Sequence, residues 1–233
     1  LLAGGIGPGD SVATAANAGM YATIAILGAG AVPVFMDVDA QTHCVGIAHI
    51  ERAVTQGAKA VIATHLYGHG IREIADIASY CRGRGVLLIE DCAQAHGALI
   101  DGRHAGSFGN AACFSFYPTK NLGGTGDGGA IVSDDEVFSA RARRLRQYGW
   151  SSKYTVELPS GSNSRLDELQ AAVLSELLAH LDADNARRRA IAGRYSASIK
   201  AKVTVPPLPE IADVAHLYVM RVPAGREDLR RHL

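Results

Sequence analysis

Short, nearly all-apolar runs alternate along this chain with segments whose apolar residues recur every three or four positions. The runs at 31–37 (AVPVFMD), 58–66 (AKAVIATHL) and 86–90 (VLLIE) read as strands, and the last is apolar enough to be buried on both faces. Residues 49–55 read as a short helix. A longer one is expected over 71–84, with Ile71, Ile74, Ala75, Ala78 and Cys81 on one face and Gly83 and Gly85 closing it. Two further strands, 111–116 and 129–133, flank a glycine-rich segment, and 134–148 is helical in pattern. A long helix is expected from about Leu166 to about Ile199, because Ser164 and Asp167 form a capping-box pattern ahead of Leu166, Leu169, Val173, Leu177 and Leu181. Pro206, Pro207 and Pro209 interrupt the pattern, after which 217–222 reads as a strand and 226–233 as a helix. Strands and helices in this alternation predict an α/β fold, a three-layer sandwich around a mostly parallel mixed sheet. The long helix then leads into a partial small C-terminal domain, which gives an expected division of 1–184 and 185–233.

Composition removes several classes of partner. Lys+Arg and Asp+Glu balance at 23 each with 48% hydrophobic residues, so the chain has no basic footprint for nucleic acid or anionic lipid. The longest apolar candidate for a membrane span, residues 20–35, is broken by Gly28, Gly30 and Pro33. Cys44, Cys81, Cys92 and Cys113 form no CxxC pair and sit in apolar or strand-like stretches, where a thiol acts as a small hydrophobe. A cytoplasmic protein with neither a nucleic-acid nor a membrane partner is therefore expected. The chain opens on Leu in a glycine-rich turn and stops inside a helical pattern, so it reads as a fragment lacking both ends.

Lysine is scarce: Lys59, Lys120, Lys153, Lys200 and Lys202 stand against 18 arginines. Lys120 lies between ACFSFYPTK and NLGGTGDGG, which puts its amine at a strand end. Lost hydration there lowers an amine's pKa and frees the neutral form to attack a carbonyl. Asp91 ends the strand VLLIED, and open parallel sheets bind ligands beyond the carboxyl ends of their strands. Gln94 follows three residues on, and Ser115 stands five residues before Lys120. Taken singly, Lys120 could be a loop-tip lysine and Asp91 a helix cap or turn residue. Together, the acid, amide, hydroxyl and lysine match the needs of pyridoxal 5'-phosphate: a Schiff-base lysine, a carboxylate for the pyridine nitrogen and a polar group for the ring hydroxyl. A carboxylate at the ring nitrogen keeps it protonated, and the protonated ring is an electron sink.

The motifs IEDCAQAHGA, ACFSFYPTKNLGGTGDGGAIV and NSRLDELQAAVL, in this order over nearly the whole chain, resemble the DegT family of nucleotide-sugar aminotransferases. That resemblance implies the fold type I, aspartate aminotransferase-like architecture. It implies Lys120 as the lysine bonded to the cofactor, Asp91 at the pyridine nitrogen, Gln94 at the ring hydroxyl and Ser115 at the phosphate. It also implies that Asn163 reaches the phosphate of the neighbouring subunit's cofactor, so that a homodimer shares its two active sites. The implied reaction moves an amino group from an amino acid, glutamate by family habit, to a keto sugar nucleotide in amino-sugar biosynthesis. Tyr117 stands where many relatives that aminate C4 carry His, which tilts the reading toward a 3-keto sugar. His96 and Tyr117 are the expected substrate-facing residues. A non-catalytic, cofactor-binding regulator of the same fold is the alternative.

The chain also departs from the family pattern. Relatives carry an earlier Gly-Thr or Gly-Ser turn at a helix N-terminus that cradles the phosphate, and this sequence has no counterpart. Where many relatives place a ring-stacking aromatic, in a segment like FTY, this chain has Asn17, Ala18 and Gly19, leaving Tyr21 as the substitute. GTGDGG at 124–129 leads into a strand, so it reads as a turn and not as a phosphate loop. His65, His69 and His96 lack metal-ligand spacing, and no metal site is expected. Arg141, Arg143, Arg144 and Arg146 read as a solvated helix face, with a contact to a nucleotide phosphate as the alternative.

Overall fold

The structure, a computed structural model, describes residues 1–200, 203–206, 210 and 212–233. In chain order its strands are β1 (Ser11–Ala15), β2 (Val32–Met36), β3 (Ala60–Thr64), β4 (Leu87–Asp91), β5 (Leu99–Ile100), β6 (Arg103–His104), β7 (Ala111–Ser115), β8 (Gly129–Val132), β9 (Trp150–Ser152) and β10 (Thr155–Val156). The α-helices are α1 (Met20–Gly28), α2 (Ile47–Thr55), α3 (Ile74–Gly83), α4 (Glu136–Leu145), α5 (Glu168–Leu178), α6 (Leu181–Ser198) and α7 (Arg226–His232). Six strands form one sheet in the order β2-β1-β3-β4-β7-β8. Every neighbouring pair is parallel except β7 with β8, which makes the sheet mixed and mostly parallel, as the alternating pattern predicts. Among the described residues no helix is long and apolar enough to cross a membrane.

The period of two along each strand sorts the core into two layers. Val12, Ile62 and Ile89 pack against Ile26 and Ala22 of α1 on one side of the sheet. Ala13, Val61, Ala63 and Leu88 face the other side, where Ile50, Ile74 and Ile77 of α2 and α3 cover them. A third, smaller cluster of Leu122, Leu174 and Leu181 docks α5 and α6 beneath the connection between β7 and β8.

Three expectations need correction. The long helix is two helices: at the end of α5, Ala179 N–H and His180 N–H bond back three residues to Glu176 and Leu177 (3.3 and 3.0 Å), and this tightened turn ends the helix before α6 begins. Ser164 does not cap α5; its N–H is spent on the Arg146 carbonyl (2.9 Å), and Asp167 is the N-cap without a side-chain hydrogen bond. Residues 217–222 form no strand, because Leu217 N–H is taken by the Tyr67 carbonyl and only Arg221 pairs, in a single bridge to Thr204. Of the three prolines expected to break the chain, Pro207 and Pro209 lie outside the described residues.

Candidate active site

Strand phase decides which side chains meet at the carboxyl end of the sheet. Ile89 faces α1, so Asp91 two residues on faces the same side, and Ser115 follows Cys113 there in the same way. The connection from β7 to β8 then folds back over these strand ends and brings Lys120 with it. Asp91, Ser115 and Lys120 thus line one cavity of about 510 Å³, walled by Ile62, Ile89 and Ala93 and opening beside Tyr21 and Tyr117. That volume lies within the range of about 300–1,000 Å³ typical of small-molecule sites.

The Asp91 carboxylate is held from two directions. Thr64 Oγ1 donates to Oδ2 at 3.3 Å, and the Ala93 N–H donates to Oδ1 at 3.1 Å. Thr64 is opposite Asp91 in the β3–β4 register, a relationship the sequence could show only once the strand pairing was known. Burial lowers the Lys120 amine below the ordinary lysine value, against the charge of Asp91, which favours the ammonium form. An amine, an oriented carboxylate and a hydroxyl around a partly apolar cavity fit the donor set that pyridoxal 5'-phosphate requires.

The other expected site residues divide between the cavity and the rest of the domain. Gln94 is not part of the cavity wall; its Oε1 accepts the Tyr67 N–H at 2.6 Å and so steadies a residue held at φ 62°. His96, expected to face substrate, is not on the cavity wall: it is 3% exposed, packed against Phe114 and Phe116, with neither ring nitrogen in hydrogen-bond geometry. Tyr117 and Tyr21 do border the cavity, and both are exposed. Tyr21 lies back over Gly19, where a Cβ would meet its ring at 3.0 Å, so the bare glycine is what gives the ring room. Asn163 is exposed and away from this cavity, its Oδ1 accepting from Arg165 Nε at 2.9 Å. Asp127, from the glycine-rich turn, also reaches the cavity wall; the sequence signal for it was its place inside GTGDGG.

The turn itself is clamped by one side chain. Gln170 Oε1 accepts from Thr125 N–H and Thr125 Oγ1 (2.8 and 2.9 Å), while Nε2 donates to the Asp127 carbonyl at 3.3 Å. On the opposite face of the sheet, His65, Glu90 and Cys92 form the one cluster of possible metal donors among the described residues. The Glu90 carboxylate there is already occupied by His65 Nε2 and by the N–H groups of Gly106, Phe108 and Gly109. A second cavity, of about 480 Å³, lies by His69, Cys44 and Asp213, where His69 and Asp213 bond each other at 2.7 Å.

Comparisons with known proteins bear on the fold and the family. The model of the DegT/DnrJ/EryC1/StrS aminotransferase family matches residues 1–233. The chain is 44% identical to the erythromycin biosynthesis sensory transduction protein EryC1 of Saccharopolyspora erythraea, over all of this chain and 64% of that protein. It is 44% identical to the dTDP-3-amino-3,4,6-trideoxy-alpha-D-glucose transaminase of Micromonospora megalomicea, over 97% of this chain and 62% of that one. The crystal structure of S. venezuelae DesV in complex with a ketimine intermediate superposes with a TM-score of 0.91 at 40% identity, covering all of this chain and 62% of that one. The chain thus spans about three fifths of the length of these relatives. With a matching family model over every residue, and identities above 40% to curated relatives, the chain belongs to the DegT/DnrJ/EryC1/StrS aminotransferase family.

Proposed function

We propose that this chain is the cofactor-binding portion of a pyridoxal 5'-phosphate-dependent aminotransferase that moves an amino group from an amino acid, glutamate by preference, to a keto sugar nucleotide. The observation that carries the reading is the shared cavity of the Lys120 amine and the Asp91 carboxylate. When bound, the cofactor supplies an aldehyde for the lysine and a ring that accepts the electrons of a breaking Cα–H bond. Asp91, fixed by Thr64 and Ala93, presents its carboxylate to the ring nitrogen, and Ser115 offers its hydroxyl to the phosphate. Lys120, its proton affinity reduced by burial, removes the proton from the donor's Cα and returns it on the cofactor side. Tyr117 at the cavity mouth, and the relative named for a 3-amino sugar, favour a 3-keto sugar as acceptor.

A homodimer is part of this reading. Met20, Tyr21, Ile24 and Leu27 give α1 an exposed apolar face beside the cavity, and Asn163 stands exposed on the surface, where a neighbouring subunit's cofactor phosphate would meet it. Four free cysteines, three of them buried, suit a reducing cytoplasm. The division at 184/185 also belongs here, although Asn185 keeps the start of α6 docked on the sheet domain. A regulator of the same fold is the second reading, favoured by the likeness to a protein named for sensory transduction. Added glutamate separates the two: an enzyme's visible absorbance moves to that of pyridoxamine phosphate, and a pure sensor's does not. In the full-length protein, Lys120→Ala should abolish the borohydride-reducible visible absorbance together with turnover. A Lys120→Ala protein that still transaminates overturns the reading.

A further inference from the structure

Asn121, the residue after Lys120, joins three parts of the molecule through one carboxamide. Its Nδ2 donates to Asn185 Oδ1 on α6 (2.7 Å) and to the Val214 carbonyl (3.0 Å), and its Oδ1 lies 2.9 Å from His216 Nδ1. Asn185, 1% exposed, continues the chain by donating from Nδ2 to the His96 carbonyl at 2.8 Å. The two backbone carbonyls can only accept, so they fix which end of each amide carries nitrogen. The oxygen of Asn121 is therefore the end that meets His216, and His216 Nδ1 must carry a proton. In a neutral ring this leaves Nε2 as a bare lone pair.

We propose that Asn121 is a positioning residue for Lys120: it ties the lysine's turn to α6 and holds the neighbouring His216 in the Nδ1–H tautomer. The choice of amide matters. Burial first, then the charges of Lys120 and Arg188, bring His216 down to about 4. His96, whose carbonyl closes the network, is brought to about 4 chiefly by burial, which outweighs the raising influence of the Ser115 backbone, with smaller lowering contributions from Lys120 and His216. Both rings are thus neutral beside an amine that must itself be neutral to act. An aspartate at 121 has nearly the same shape, but it loses both donors and sets a carboxylate against His216, which favours the imidazolium. The inference rests on the reading of Lys120 given above for its kinetic test and not for its spectroscopic one.

Histidine-selective ¹⁵N labelling with long-range ¹H–¹⁵N correlation on the holoenzyme reads the ring directly, with His216→Gln used to assign it. The expected result is a protonated Nδ1 and a bare Nε2 in the parent protein, and a doubly protonated ring in Asn121→Asp. A parent ring protonated at Nε2, or at both nitrogens, overturns the proposal. In the amino-acid half-reaction, Asn121→Asp should lower the rate constant by about 10- to 100-fold with a smaller change in KM and with the cofactor absorbance retained. His216→Gln, at a half-buried site, should lower the same constant; parental rate constants in both variants overturn the proposal. A holoenzyme whose absorbance does not depend on Lys120 overturns the functional reading instead, and the tautomer measurement still decides the claim for Asn121 and His216.

Discussion

Glu90 and Asp91 are consecutive on β4 and point to opposite faces of the sheet, so two adjacent carboxylates have different work. Glu90 is fully buried and accepts from His65 Nε2 and from three backbone N–H groups at 2.7–2.8 Å, which close the loop at 106–109. Burial pushes its carboxyl up, but the His65 contact and the amides of Gly109 and Gly106 outweigh this, so it sits below the usual carboxylate range. Glu90→Gln turns an acceptor toward a donor at this node and should cost about 3 kcal/mol of stability by urea unfolding. Asp91→Asn should leave stability and cofactor binding nearly unchanged while removing most of the half-reaction rate. Equal stability losses in the two variants would contradict the division of labour.

His96 predicts an acid-labile fold. Burial, the largest cause, depresses its ring from 6.5 to about 4, against the raising influence of the nearby Ser115 backbone and with smaller lowering contributions from the Lys120 and His216 charges. On acidification the unfolded chain takes up the proton before the folded one. The contribution is therefore complete above about 6.5 and is lost as the pH falls toward 4, amounting to on the order of 3 kcal/mol. His96→Phe places an apolar ring against Phe114 and Phe116 and should flatten the slope of unfolding free energy between these limits. Denaturant titrations at stepped pH check it; an unaltered slope removes His96 as the cause.

How much of this was legible in the sequence depends on separation along the chain. Asp91 and Ser115 end apolar runs, so the carboxyl ends of the strands could be named from local pattern, whereas their sharing one face depends on the β4–β7 register, in which Asp91 is opposite Cys113. The break between α5 and α6 could not, because Leu177 and Leu181 keep the same apolar stripe across it while the hydrogen bonds tighten underneath. His96 was expected to face substrate, yet it is packed against Phe114 of β7 and Phe116 just beyond it, residues 18 and 20 positions away along the chain. Gln170 with Thr125, and Asn121 with His216, are 45 and 95 residues apart, and neither pairing has a spacing signature.

The Gln170 clamp can be tested by coupling. A Cβ at Gly124 would lie 2.7 Å from Gln170 Oε1, an atom pinned by two hydrogen bonds from Thr125 and unable to swing away freely. Gly124→Ala should destabilise the folded protein by about 1–3 kcal/mol, and the same change should cost clearly less in a Gln170→Ala background. A double-mutant cycle by thermal or urea unfolding measures the difference. Strict additivity would mean that the turn is not shaped by this side chain.

The exposed face of α1 carries the last prediction. Met20, Ile24 and Leu27 are spaced as one helical stripe and are 73%, 56% and 58% exposed, and Phe35 of the edge strand β2 is 58% exposed. An apolar helix face beside an apolar sheet edge is costly to leave in water, and a second copy of the chain is the occupant proposed above. Leu27→Glu puts a charge on that face, in the last turn of α1, without touching the core behind it, where Ala22 and Ile26 are buried. On the full-length protein it should shift the sedimentation velocity profile from dimer to monomer while the helical circular dichroism is kept. Because Tyr21, Ala22 and Ala25 of the same helix wall the cavity, the separated subunit should also hold pyridoxal 5'-phosphate more weakly than the parent. A parent protein that sediments as a monomer, or a Leu27→Glu variant that stays dimeric, would show that this face is covered by something else.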